Sequence, residues 1–147
     1  MTDFSLRKAS MKDFGSVYSM VCELEEEQFD RTIFKNIFKT NLANPNIHYV
    51  VAIYENKLVG FISLHIQPLL HHNGNAAEIH ELFVDSQVRG RGIGRALVAH
   101  AKKIAEANKA KVFEVACNIK REKTHLFYQN EGLGRSHYKF TSTAILT

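Results

Sequence analysis

The sequence predicts a mixed α/β domain, and three observations lead there. Segments rich in β-branched and aromatic residues interleave with segments of helical spacing, in the order β-α-α-β-β-β-α-β-α-β. Three glycines, at positions 90, 92 and 94, stand between an apolar strand and an amphipathic helix. No linker, repeat or low-complexity stretch divides the chain, so residues 1–147 are read as one domain. A chain of that length can bury roughly two-thirds of its unfolded surface in a single core.

"DFSLRKA" alternates and reads as the first strand. Ser10 opens a helix over 11–26, with Asp13 at the capping-box spacing that satisfies free N–H groups. Phe14, Val17, Val21 and Leu24 follow at helical intervals. Asp30 caps a second helix over 30–43, whose expected buried side carries Ile33, Phe34, Ile37, Phe38 and Leu42. "HYVVAIYE" and "LVGFISLHI" flank the short turn "NK" and read as a hairpin. "PLLHHNGN" is expected to be a loop, and "AAEIHELFV" a further strand. In the helix after the glycines, Ile93, Leu97, Ala101, Ile104 and Ala105 share one face. "KVFEVACNI" is expected as a strand, "EKTHLFYQNE" as a short helix ended by Gly132, and "SHYKFTSTAI" as the last strand or pair. The opening strands should pair mainly antiparallel. The strand–helix–strand unit over 76–119 should form a right-handed parallel crossover.

Composition narrows the class. Apolar content of 45% with 23% charged residues is that of a globular protein, and no apolar run is long enough to span a bilayer. "MTDFSLRKAS" lacks the layout of a signal peptide, so a cytoplasmic location without membrane contact is expected. Cys22 and Cys117 are too few for a disulfide framework, and Cys117 reads as a small buried residue in preference to a nucleophile. A net charge of +4 favours an anionic partner, either a nucleic acid or a phosphorylated small molecule.

The glycines sharpen that choice. They admit positive φ and close approach, and a helix starting there presents unpaired N–H groups at the positive end of its dipole. That combination suits a phosphate group. The P-loop pattern fails because no lysine with a hydroxyl residue follows. The dinucleotide fingerprint would need glycine at 95 or 97, which are Arg95 and Leu97.

What remains resembles the signature of the GNAT family of N-acetyltransferases: arginine or glutamine, two residues, glycine, one residue, then glycine or alanine. Arg89, Gly92 and Gly94 meet it. "HLFYQNEGL" is similar to that family's second helix motif, with Thr124 at an alanine position, Tyr128 at the tyrosine and Gly132 at the glycine. The resemblance spans essentially the whole chain and implies the GNAT fold, a mostly antiparallel sheet with flanking helices and a parallel β-α-β cofactor unit. It implies that acetyl-CoA is the cosubstrate. Its diphosphate would lie on the backbone of Arg89, Gly90, Arg91, Gly92, Ile93, Gly94 and Arg95, and its pantetheine on Leu82, Phe83 and Val84. The main-chain N–H near Val84 would receive the oxyanion. Where many members carry asparagine this chain has Arg121, and Asn118 is the substitute polar contact.

Acetyl transfer to an amine needs a neutral nucleophile, and therefore a base. In "AEIHELFV", Glu78 and His80 should share one face of the strand and Glu81 the other. Glu78 is the preferred base, with Glu81 behind it. By the resemblance, Tyr128 is the acid that protonates the departing thiolate.

"LHIQPLLHHNGNAAEIHELFV", "CNIKREKTHLFYQNEGL" and "SHYKFT" are similar to the aminoalkylphosphonate N-acetyltransferases within that family. That likeness implies a small primary amine such as 2-aminoethylphosphonate, and the possible use of a divalent metal. His71 and His72 are the candidate metal ligands, with His65 and His80 as further ligands or phosphonate donors. Arg121, Lys123 and His137 are additional candidates to neutralise the phosphonate. The competing expectations are an acetyltransferase for a polyamine, aminoglycoside or protein amine, to which "CELEEEQFD" would lend acidic residues, and, more remotely, a nucleic-acid-binding regulator. The oligomeric state is left open, a homodimer among the possibilities.

Overall fold

The structure, a computed structural model, describes residues 3–143. The chain forms two compact units, residues 1–115 and 116–147. The first holds a five-stranded sheet in the order β1-β2-β3-β4-β5, made of β1 (Phe4–Lys8), β2 (Ile47–Tyr54), β3 (Lys57–Leu69), β4 (Gly74–Val84) and β5 (Val112–Val115). The first four strands pair antiparallel, and β5 joins β4 in parallel after the helix α3 (Ile93–Ala107), as the crossover reading requires.

Each face of the sheet carries helices for a reason legible in its side chains. On one face α1 (Phe14–Glu25) and α2 (Arg31–Leu42) bury Phe14, Val17, Tyr18 and Phe38 against Tyr49, Val51, Phe61 and Phe83. Phe38 stacks on Tyr49 at 5.4 Å between centroids, and Tyr49 meets Phe61 edge-on at the same separation. On the other face α3 buries Ile93, Leu97, Val98, Ala101 and Ala105. A Cβ on Gly60 would sit 3.2 Å from Leu97 Cδ1, so the missing side chain lets α3 lie close.

The first helix starts through a short 3-10 turn, Met11–Asp13. Asp13 takes the Ser10 amide at 2.8 Å and both guanidinium nitrogens of Arg7 at 2.8 Å, so it ties β1 to the helix start while itself buried. The Arg7 hydrogen bonds, aided by the Ser10 amide and opposed by burial, hold the Asp13 carboxyl below the usual carboxylate range. A depressed value in the fold means stabilisation present above the unfolded value near 4 and lost as pH falls through the folded one. Asp13→Asn should therefore cost about 1–3 kcal/mol at pH 7, a gap that closes in acid. Urea denaturation of both proteins at pH 7 and at pH 2.5 checks this; an equal gap at both rules it out.

Several expectations are corrected. The β2–β3 turn is Glu55–Asn56, both at positive φ (49° and 63°), one residue earlier than "NK". Two left-handed centres are what a twisted two-residue hairpin demands. The "PLLHHNGN" loop is mostly hairpin: β3 runs through Pro68 to Leu69, which pairs with Gly74 across the 3-10 turn Leu70–His72. Pro68 is tolerated because β2 pairs no further than His65, leaving β3 a local edge there. In α2, Ile33 and Ile37 are exposed, and Phe38 is the fully buried position.

The second unit contains α4 (Glu122–Asn130). Its end matches expectation: Gly132 has φ 92°, its N–H reaches the Gln129 carbonyl, and that of Leu133 reaches the Tyr128 carbonyl. This is a Schellman cap. Residues 116–119, expected in a strand, are not in one. Neither are residues 136–143 of "SHYKFTSTAI", and the rest of that segment lies outside the described residues.

Candidate active site

The site begins with one extra residue in β4. On β3, Ser63 and His65 are two apart and therefore face the same way, but their partners on β4 are Glu81 and Glu78, which are three apart. The surplus residue is His80, and the irregularity is a β-bulge. The strict alternation expected for this strand is thus broken, and Glu81 lies on the same face as Glu78, not the opposite one. Ser63, fully buried, stitches the bulge: its hydroxyl donates to the Glu81 carboxylate and accepts the Glu81 amide at 2.9 Å. With its carboxylate so engaged, Glu81 is less suited than Glu78 to proton transfer.

The bulge gathers polar groups that period-two counting would scatter. His80 Nε2 lies 3.2 Å from Glu78 Oε1, and its ring lies 4.3 Å from that of His65. Glu78 pairs in register with Glu114 of β5. Together with Gln67, Leu69 and Ala76, these residues line a cleft of about 200 Å³. Burial, with His80 beside it, holds the His65 imidazole below the usual histidine range. Glu114 was not singled out from the sequence, although a lone carboxylate between Phe113 and Val115 is the signal that drew notice to Glu78.

Six residues beyond Glu78, roughly 20 Å at the rise of a strand, β4 ends at Val84, and the glycine turn follows the 3-10 turn Ser86–Val88. β5 pairs with β4 only from Ala76 to Ile79, so among the described residues the backbone of 80–84 pairs with β3 alone. Leu82 and Val84 are half-buried, while the Phe83 side chain belongs to the α1–α2 core, which leaves its backbone for any ligand. Gly90 and Gly92 take φ of 87° and 82°, and a Cβ on either would meet nothing within 4 Å. Glycine is needed there for the backbone angle. Gly94 is the second residue of α3 and helical, so the expectation of positive φ fails for it. The Ala96 amide makes the first helical bond, to the Gly92 carbonyl. A helix start of this kind suits an anion.

The arginines of the turn have structural tasks. Arg89 Nε donates to the Val84 carbonyl at 3.1 Å, bracing the strand end. Arg91 lies 4.7 Å from the centroid of the Tyr54 ring and 3.4 Å from Asp3 Oδ2, tying the turn to the sheet.

In the second unit, Tyr128 is buried, and burial, with Cys117 nearby, pushes its hydroxyl up, so it stays protonated at neutral pH. Asn118 lies in the turn before α4, where its Oδ1 accepts the Lys120 amide at 2.9 Å. Arg121, Lys123 and His137 are exposed. The rings of His71 and His72 lie 4.1 Å apart, tilted at 43°, in the turn between β3 and β4, but no group of three metal-ligating side chains occurs among the described residues. That donor set does not fit a divalent ion. No helix among the described residues is long and apolar enough to cross a membrane.

A mixed sheet with helices on both faces, a left-handed glycine turn opening α3 and a polar cleft upstream suit a group-transfer enzyme with a phosphorylated donor. The acetyltransferase (GNAT) family model matches residues 6–134, and the chain belongs to that family. It is an acetyl-CoA-dependent N-acetyltransferase. The chain is 43% identical over 136 residues to the aminoalkylphosphonate N-acetyltransferase of Salmonella typhimurium, covering 92% of this chain and 88% of that one. A transcriptional regulator from Bacillus halodurans superposes with a TM-score of 0.87 at 22% identity, covering 95% of this chain and 98% of the other. An aminoglycoside N-acetyltransferase in complex with CoA superposes with a TM-score of 0.86 at 11% identity, covering 97% and 95%. At such identities the two structures show the fold alone.

Proposed function

We propose that the protein moves the acetyl group of acetyl-CoA to the primary amine of a small aminoalkylphosphonate. The cleft carries this reading. Its volume of about 200 Å³ falls below the roughly 300–1,000 Å³ typical for drug-sized ligands, and its lining sets two carboxylates beside two imidazoles and an amide. Glu78 and Glu114 suit an ammonium group, while His65 and Gln67 offer N–H donors to phosphonate oxygens. The Salmonella relative of that name supports the same substrate class.

In this reading residues 1–147 work as one acetyltransferase domain. The turn from Arg89 to Arg95 holds the diphosphate, Leu82 to Val84 hold the pantetheine through their backbone, and Asn118 adds a polar contact. Glu78 takes a proton from the bound ammonium, freeing the lone pair that attacks the thioester carbonyl. Six strand residues, roughly 20 Å, separate the main-chain N–H near Val84 from Glu78, too far for both to serve the same carbon. An N–H of β4 beside the bulge therefore faces the oxygen that gains charge, and Tyr128 gives its proton to the departing thiolate.

The test is a steady-state comparison of acetyl-CoA consumption with 2-aminoethylphosphonate, β-alanine, spermidine and an aminoglycoside, each with and without chelator. The aminophosphonate should exceed its carboxylate analogue at least tenfold in kcat/KM. Faster turnover of spermidine would instead mean that the carboxylates of the cleft serve a polycation. Loss of activity on chelation would bring a metal back into the reaction.

A further inference from the structure

The cleft has a floor as well as walls. Register sets the side chains of its three strands in rows on one face. Glu78 stands in one row with Glu114 of β5, and Ala76 in the next with Gln67 of β3 and Val112 of β5. Leu69 follows two residues beyond Gln67, at the end of β3. Successive rows lie about 7 Å apart along the strands. Ala76 is the smallest side chain lining the cleft, and although it lines it, it is only 3% exposed. It is therefore the bottom of a hollow that a longer side chain on β4 would fill.

We infer that Ala76 sets the length of acceptor the cleft admits, with Leu69 as the end wall. The inference deepens the proposed function and rests on this cleft being the acceptor site. With the amine at the carboxylates of Glu78 and Glu114 and the acid group at the Gln67 amide one row on, the chain joining them lies over Ala76. An extended chain advances about 1.2 Å per bond. The four bonds from nitrogen to phosphonate oxygen in 2-aminoethylphosphonate thus span about 5 Å, and a hydrogen bond to Gln67 closes the remainder of the row spacing. Each further methylene carries the acid group about 1.2 Å toward Leu69.

Valine at position 76 would raise methyl groups into the hollow where that chain runs. The shortest acceptor keeps its acid group close to the Glu78 row and overlies the floor least. The loss should therefore grow with every methylene added, which general damage to the sheet would not produce. Ala76 is a specificity-determining residue in this scheme and takes no part in the chemistry.

The experiment measures kcat/KM for aminomethyl-, 2-aminoethyl- and 3-aminopropylphosphonate with the parent, Ala76→Val and Leu69→Ala, and reads the ratio of longest to shortest. Ala76→Val should lower that ratio about tenfold or more, the discrimination a pocket achieves over a single methylene, and leave the KM for acetyl-CoA unchanged. Leu69→Ala, at a half-buried strand end, should raise the ratio about three- to tenfold. Equal loss across the series in Ala76→Val would mean that the residue only packs the sheet, and would overturn the inference. So would an unmoved ratio in Leu69→Ala, which decides alone if Ala76→Val does not fold. If the parent turns over none of the three aminophosphonates, the substrate reading has failed. The same ratio is then read on glycine, β-alanine and γ-aminobutyrate, or on diamines of increasing length, and the two variants support or overturn the role of Ala76 as before.

Discussion

Glu78→Gln is expected to lower kcat/KM by about 10²- to 10⁴-fold at pH 7, the range for loss of a positioned base. The deficit should shrink as pH rises. An alkylamine with the ordinary lysine value near 10.4 is neutral in roughly one molecule in a few thousand at pH 7, and that fraction grows about tenfold per pH unit. A variant without its base lives on that fraction, so the two pH–rate profiles converge toward pH 9–10. Glu81→Gln should do far less to the chemistry, because Ser63 already holds its carboxylate. Parallel profiles for Glu78→Gln and the parent, or a larger loss in Glu81→Gln, would transfer the base role elsewhere.

Gly92→Val should raise the KM for acetyl-CoA about 10- to 100-fold. At φ 82° a β-branched residue is strained by about 1–3 kcal/mol, and tenfold corresponds to about 1.4 kcal/mol. Since a Cβ at this position would meet no protein atom within 4 Å, the cost to the protein itself comes from the backbone angle. Gly92→Ala should therefore show a smaller loss of the same kind, and kcat at saturating acetyl-CoA should fall less than kcat/KM. Gly94→Ala is the control, since Gly94 is helical and alanine favours a helix. If Gly94→Ala raised KM as much as Gly92→Val, the left-handed turn would not be what the donor requires.

Much of this layout could be read residue by residue. Asp30 does cap α2, its carboxylate accepting the Ile33 amide at 2.9 Å, and Gly132 does close α4, because capping is decided within one helical turn. The glycine turn was legible for the same reason: the left-handed angle is a property of single residues. The spacing of Ile93, Leu97, Ala101 and Ala105 announced the buried face of α3. The second helix misled, since Ile33 and Ile37 have the composition of a core face but lie beyond the side that meets the sheet. Composition ranks residues by what burial would gain, and says nothing about how much surface the neighbouring element covers.

The chemistry of the cleft shows where local reading ends. Period-two counting put Glu81 on the face away from Glu78, and was defeated by a single surplus residue opposite the Ser63–Leu64 step. Glu114 joined Glu78 through the parallel register of strands 36 positions apart in the chain, which no short window contains. Local spacing suffices wherever the governing forces act within a turn of helix or a few residues of strand. Register, bulges and shared faces follow from hydrogen-bond ladders between distant segments, so the assembled sheet decides which carboxylate meets which imidazole.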